Sequence, residues 1–154
     1  AYVEIDPETG QVEIKKYVTV HDCGRVINPT LVEGQIYGSF VHGLGGAFYE
    51  EMAYSEDGQY LSSSFVNYMC PTAVEAPELD IGHIETPSPF TALGSKGCGE
   101  SCTMSAPVCL ANAVADALKP LGVTVNRLPL RPGDIWELIQ QGKEKQARGG
   151  KGRK

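Results

Sequence analysis

Between residues 29 and 49 an apolar repeat of helical period is interrupted by five glycines, at positions 34, 38, 43, 45 and 46. Ile36, Phe40, Leu44, Ala47 and Phe48 fall on one face at that period, and Gln35, Gly38, His42 and Gly45 on the opposite one. Each glycine costs a helix about 1 kcal/mol against alanine. A helix that accepts this has a use for close approach, by another helix or by a ligand, and the pattern alone leaves both open. Asn28 suits the N-cap and Pro29 the first helical position, so a helix is expected from about Pro29 to Tyr49.

Before it, YVEIDPETGQVEIKKYVTV reads as a β-hairpin. Val3 and Ile5 alternate with Glu4, Val12 and Ile14 with Glu13, and Asp6 to Gly10 supply the turn. Lys15-Lys16 breaks the alternation, which predicts a bulge before Val18 and Val20 extend the second strand. Residues 51–65 predict a second hairpin turning at Glu56-Asp57-Gly58, and LDIGHIET a further strand. A helix is expected over Ser101–Leu118 with Met104, Val108, Ala111, Ala115 and Leu118 on its apolar face. A short strand and a last helix near Pro132 to Gln141 follow. The division is then a domain over residues 1–142 and a basic, glycine-rich tail over 143–154, expected to be disordered. Hairpins mixed with helices, without regular βαβ units, predict an α+β fold with a mixed sheet against three main helices.

The net charge of −6 argues against nucleic acid and an anionic membrane surface as partners, and no apolar run is long enough to span a membrane. The chain begins inside a strand pattern, without initiator methionine or signal peptide, and is expected to be a fragment, a processed chain or part of a larger subunit. The five cysteines form no CxxC, so zinc and iron–sulfur sites are disfavoured. Free thiols in a reducing compartment, the cytoplasm, are the expectation.

The segment LGSKGCGES, residues 93–101, is a glycine loop ending in an acid at a helix start. Its lysine precedes the second glycine, so it is not a P-loop, and Cys102 breaks the dinucleotide pattern. Two roles for Glu100 stay open: complementing the helix dipole, worth less than about 1 kcal/mol, or catalysis. His21 and Asp22 are adjacent in a strand, which sends them to opposite faces. His42 is read as a satisfied histidine, and His83 offers nothing specific.

In order, VHDCGRVINPTLVEGQIYGSFVHGLGGAFYEE, SFVNYMCPTAVEAPEL and IETPSPFTALGSKGCGESCTMSAPVCLANAVADAL resemble the C-terminal part of the large, molybdenum-binding subunit of the xanthine oxidase / aldehyde oxidoreductase family. The resemblance is to its carbon monoxide dehydrogenase-like branch and covers about residues 1 to 141. It implies a molybdopterin-binding domain of a molybdenum hydroxylase. Glu100, matching the end of the GxKGxGE loop, is implied as general base in the hydroxylation of an electron-poor carbon. Lys96, Gly97, Cys98 and Gly99 would lie against the cofactor, and Gln35 would contact the pterin. No protein side chain is implied as a metal ligand, Cys98 included, because the pterin dithiolene supplies the sulfur.

The implied cofactor is a molybdenum–pterin group, with its cytosine dinucleotide form one of the options. Iron–sulfur clusters and FAD would sit on partner subunits or domains, beside the remaining part of the large molybdenum subunit. Aldehydes, purines, N-heterocycles and carbon monoxide are among the substrates of such enzymes. Cys98 and the SCTMS run depart from the usual residues, and the missing preceding segment implies that the chain alone does not hold the cofactor. The other reading is a non-catalytic α+β fragment or assembly module.

Overall fold

Alternating apolar residues and a polar turn form the first hairpin. The structure, a computed structural model, describes residues 1–150. Strand β1 (Tyr2–Ile5) pairs antiparallel with β2 (Val12–His21). In the turn the Asp6 carboxylate accepts from Glu8 N and Thr9 Oγ1, each at 2.8 Å, the local bond that favours Asp in turns. The expected bulge is present: Tyr2 faces Lys16 and Val3 faces Ile14, so Lys15 is the extra residue. It changes the inward parity of β2 from Val12 and Ile14 to Tyr17, Thr19 and His21 and turns Val18 and Val20 outward, more than half exposed.

Strand β3 (Leu79–His83) pairs parallel with β2, from Tyr17 opposite Leu79 to His21 opposite His83, giving a mixed sheet in the order β1-β2-β3. Parallel neighbours need a crossover. Helix α1 (Pro29–Phe48) and the irregular residues 49–78 form it. Asn28 caps α1 by accepting from Leu31 N at 3.2 Å, and all of Ile36, Phe40, Leu44, Ala47 and Phe48 are buried. The Phe40 ring lies 4.5 Å from that of Tyr17, joining α1 to the sheet.

Helix α2 (Ser101–Leu118) crosses α1 at Gly43. A Cβ there would stand 2.8 Å from Ala106 Cβ and 3.0 Å from Pro107 Cδ. Gly43→Ala is therefore expected to destabilise by about 1–3 kcal/mol through overpacking, although alanine favours helix; a lower urea midpoint at unchanged slope is the readout.

Four expectations need correction. The buried stripe of α2 is Cys102, Ala106, Leu110, Val114 and Leu118, while Met104 is 79% exposed and Val108 59%. Ser105, Asn112 and Asp116, all exposed, lie opposite this stripe, so the period of the polar residues marks the inward face and the expected stripe was rotated off it. The second hairpin shrinks to one bridge between Tyr54 and Tyr60 around the Gly58 turn, because the following stretch lacks alternation. No strand forms over 123–126; Val123 and Val125 pack on the core unpaired. Finally, helix α3 (Pro132–Gly150) runs past Gln141 into the segment expected to be disordered. Lys143 to Arg148 in its extension are good helix formers. It is held by Gly142 against Leu121, by Gln146 Nε2 donating to Pro120 O at 2.7 Å, and by the Glu144–Arg148 pair. Residues 151–154 of the expected tail lie outside the described residues.

The core gathers Tyr17, Phe40, Leu44, Leu79, Leu110 and Ile135 from the sheet and all three helices. This is the α+β arrangement expected. Among the described residues no helix is long and apolar enough to cross a membrane.

Candidate functional site

Because β2 and β3 run in the same direction, the chain leaves both at one end of the sheet. There the segment after β2 meets the glycine loop. Lys96 N donates to Cys23 O at 2.7 Å and Arg25 N to Gly94 O at 3.1 Å, around a bridge between Gly24 and Ser95. Gly24 has φ +67°, and a Cβ on it would stand 2.3 Å from Gly94 O, so only glycine serves at this crossing. The Asp22 carboxylate locks the junction. Its Oδ1 accepts from Gly24 N at 2.9 Å, Thr86 N at 3.1 Å and Lys96 Nζ at 2.9 Å. Hydrogen bonding from Thr86 first, then from Lys96 and Gly24, holds its pKa well below the usual carboxylate range. A group depressed in this way adds stability above its unfolded pKa and loses it only as pH falls through the lower folded value. The lock therefore stays closed throughout the neutral range.

The start of α2 is fixed from α1. Ser39, buried, accepts from Cys102 N at 3.2 Å through its hydroxyl, and its carbonyl accepts from Thr103 Oγ1 at 3.1 Å. Ser101 Oγ lies 3.0 Å from His21 Nδ1. Glu100 is thus placed at the N-cap, where its carbonyl accepts from Thr103 N at 3.1 Å. Its side chain makes no capping bond. Instead Oε1 lies 3.0 Å from Nδ1 of His42 on α1.

Gln35 shares the outward face of His42, two helical turns or about 10 Å along α1, and is exposed. Added Cβ atoms at Gly34, Gly38, Gly97 and Gly99 would meet nothing within 4 Å. The five helical glycines therefore divide. Gly43 and Gly45 face protein atoms of this chain, whereas Gly34, Gly38 and Gly46 border open space. Lys96 turns its amine to Asp22, so its side chain anchors the loop. Cys98 is partly buried, and burial first, then nearby Cys23, pushes its thiol pKa up, which keeps it protonated. His21 and Asp22 diverge as expected, to Ser101 and Lys96 respectively. His42, read as a satisfied histidine, has the Glu100 carboxylate as its partner, a pairing that sequence reasoning did not name.

Among the described residues no group of three or more His, Cys, Asp or Glu could hold a metal ion. The open space at Gly34, Gly38, Gly97 and Gly99 fits a group that approaches the backbone closely there. The family model for the molybdopterin cofactor-binding domain matches residues 1–77, half of the chain. The chain belongs to that family.

This molybdopterin cofactor-binding domain is 49% identical over 133 residues to the nicotine 6-hydroxylase large subunit of Paenarthrobacter nicotinovorans, covering 86% of this chain and 16% of that protein. It is 35% identical to the carbon monoxide dehydrogenase large chain of Afipia carboxidovorans, over 90% of this chain and 17% of the relative. Among solved structures, quinoline 2-oxidoreductase from Pseudomonas putida 86 superposes with a TM-score of 0.87 at 40% identity, covering 90% of this chain and 18% of that one. The domain thus spans about a sixth of the length of the curated relatives it matches.

Proposed function

We propose that the chain forms the cofactor-facing wall of a molybdenum hydroxylase, with Glu100 as general base. The observation that carries this reading is the coincidence of open glycines on two separate segments, Gly34 and Gly38 on α1 and Gly97 and Gly99 in the loop, around an acid not engaged in capping. The backbone amides of Gly97 to Gly99 and the Gln35 amide would hold the pterin, with Cys98 contributing its main chain. Lys96 serves through its backbone and through the Asp22 anchor. When bound, the molybdenum–pterin group supplies the oxidising equivalents for hydroxylating a carbon. The carboxylate of Glu100 accepts the proton released in that reaction.

The substrate class we infer is an N-heterocycle, since nicotine and quinoline, the compounds named for relatives at 49% and 40% identity, both contain one. The rest of a large molybdenum subunit would cover this domain, with iron–sulfur and FAD subunits completing a cytoplasmic assembly. The cytosine dinucleotide form of the pterin belongs to the same proposal. Exposure of Phe65, Val66, Val74 and Phe90 at 84% to 95% supports a covering partner, and five free cysteines support a reducing compartment. By itself the domain would be inactive.

Gly38→Ala tests the reading. With nothing within 4 Å of the added methyl, it is expected to favour α1 by about 0.5–1 kcal/mol. The same methyl would crowd the cofactor and lower the molybdenum and pterin content of the purified assembly. A wild-type assembly without molybdenum, or an unchanged content in Gly38→Ala, counts against the proposed contact face.

A further inference from the structure

We propose that His42 is a positioning residue for Glu100: Nδ1 holds carboxylate Oε1, leaving Oε2 to take the proton. The inference rests on the base role given to Glu100 above. The pair is at 3.0 Å, with side chains 54% and 71% exposed in this chain. Exposed pairs of this kind add little to stability, so the contact is a poor explanation for a stable fold. It is a good explanation for a fixed carboxylate. Glu100 occupies an N-cap, where a short acid would bond the helix N–H groups, yet its side chain reaches across to another helix. Its loop neighbours Gly97 and Gly99 offer no side chain to restrain it.

The imidazole, by contrast, stands on a rigid base. Ser39, one turn before it, is bonded to Cys102 N and Thr103 Oγ1, and Gly43, the next residue, lies against Ala106 and Pro107. These contacts fix the backbone of His42 relative to α2, and hence relative to Glu100. On its own face Gly38 has no side chain to compete for the ring. With a proton on Nδ1, the ring donates to Oε1, and among the described residues Oε2 has no hydrogen-bond partner.

The test uses the complete cofactor-loaded assembly and the variants His42→Leu, His42→Asn, Glu100→Gln and His42→Leu combined with Glu100→Gln. His42→Leu is expected to lower kcat about 10- to 100-fold, the scale of a misplaced catalytic group, with KM and molybdenum content unchanged. His42→Asn, whose side-chain amide nitrogen overlays Nδ1, should recover most of the loss. In the Glu100→Gln background His42→Leu should add nothing. A crystal structure of the His42→Leu assembly should show the carboxylate displaced. If Glu100→Gln is inactive while His42→Leu turns over normally with its carboxylate unmoved, the positioning role is overturned and the base role stands. His42→Asn as slow as His42→Leu, or loss of molybdenum from either, also overturns it. Normal turnover by Glu100→Gln removes the base role, and the positioning role with it.

Discussion

Glu100→Gln in the assembled enzyme is expected to lower kcat by about 10²–10⁴-fold, the usual contribution of a positioned general base, while molybdenum and pterin content stay at the wild-type level. Glutamine has the same shape and keeps an oxygen for His42, but it cannot take a proton. The fold should not notice. The side chain is 71% exposed, it makes no capping bond, and the hydrogen bond at the start of α2 uses the Glu100 carbonyl, which the substitution retains. Steady-state kinetics beside metal analysis on the same preparation separates the outcomes. Wild-type kcat at full metal loading rejects the base role. Lost metal together with lost activity would make Glu100 a cofactor contact.

The largest stability effect is expected at Phe40. Its side chain is fully buried and its ring meets Tyr17 at 4.5 Å, where α1 rests on β2. Phe40→Ala should lose about 3–5 kcal/mol, since the packed neighbours only partly collapse into the space left. That is a large share of the ~5–15 kcal/mol by which domains are stable. Denaturant unfolding of the protein, with His42→Leu as a surface control, reads the difference. A loss below about 1 kcal/mol would mean that α1 does not depend on this contact.

Local chemistry made the hairpin, its bulge at Lys15, the Asn28 cap and the inward face of α1 legible, because each depends on residues close in sequence. The face of α2 was misread although Ser105, Asn112 and Asp116 mark its outward side; Met104 and Val108 stand exposed beside them, while Ala106 meets Gly43 of α1. The end of α3 was misread because a polar, basic sequence looks like a tail until Leu121 and Pro120 are found beside Gly142 and Gln146. At the site, the loop and Glu100 were legible as an unusual pattern, and the role proposed for them draws on the family resemblance. His42 was not, since one histidine on a helix carries no sign of a partner 58 residues away. The anchoring of Lys96 by Asp22 was hidden likewise, for it follows from the parallel pairing of β2 and β3.

The division of the α1 glycines into two kinds separates two ways in which the same helix can fail. A substitution at Gly43 meets Ala106 and Pro107 of this chain and lowers its stability, and with it the amount of folded protein. One at Gly34 or Gly38 meets nothing in the chain, so the variant is expected to fold at least as stably as the parent. Screens that score abundance would pass it as harmless. On the cofactor-facing role proposed for α1, lesions on that side would show only in assays of metal loading or turnover, and a survey contrasting the two kinds of assay would mark the cofactor's footprint along α1, one glycine at a time.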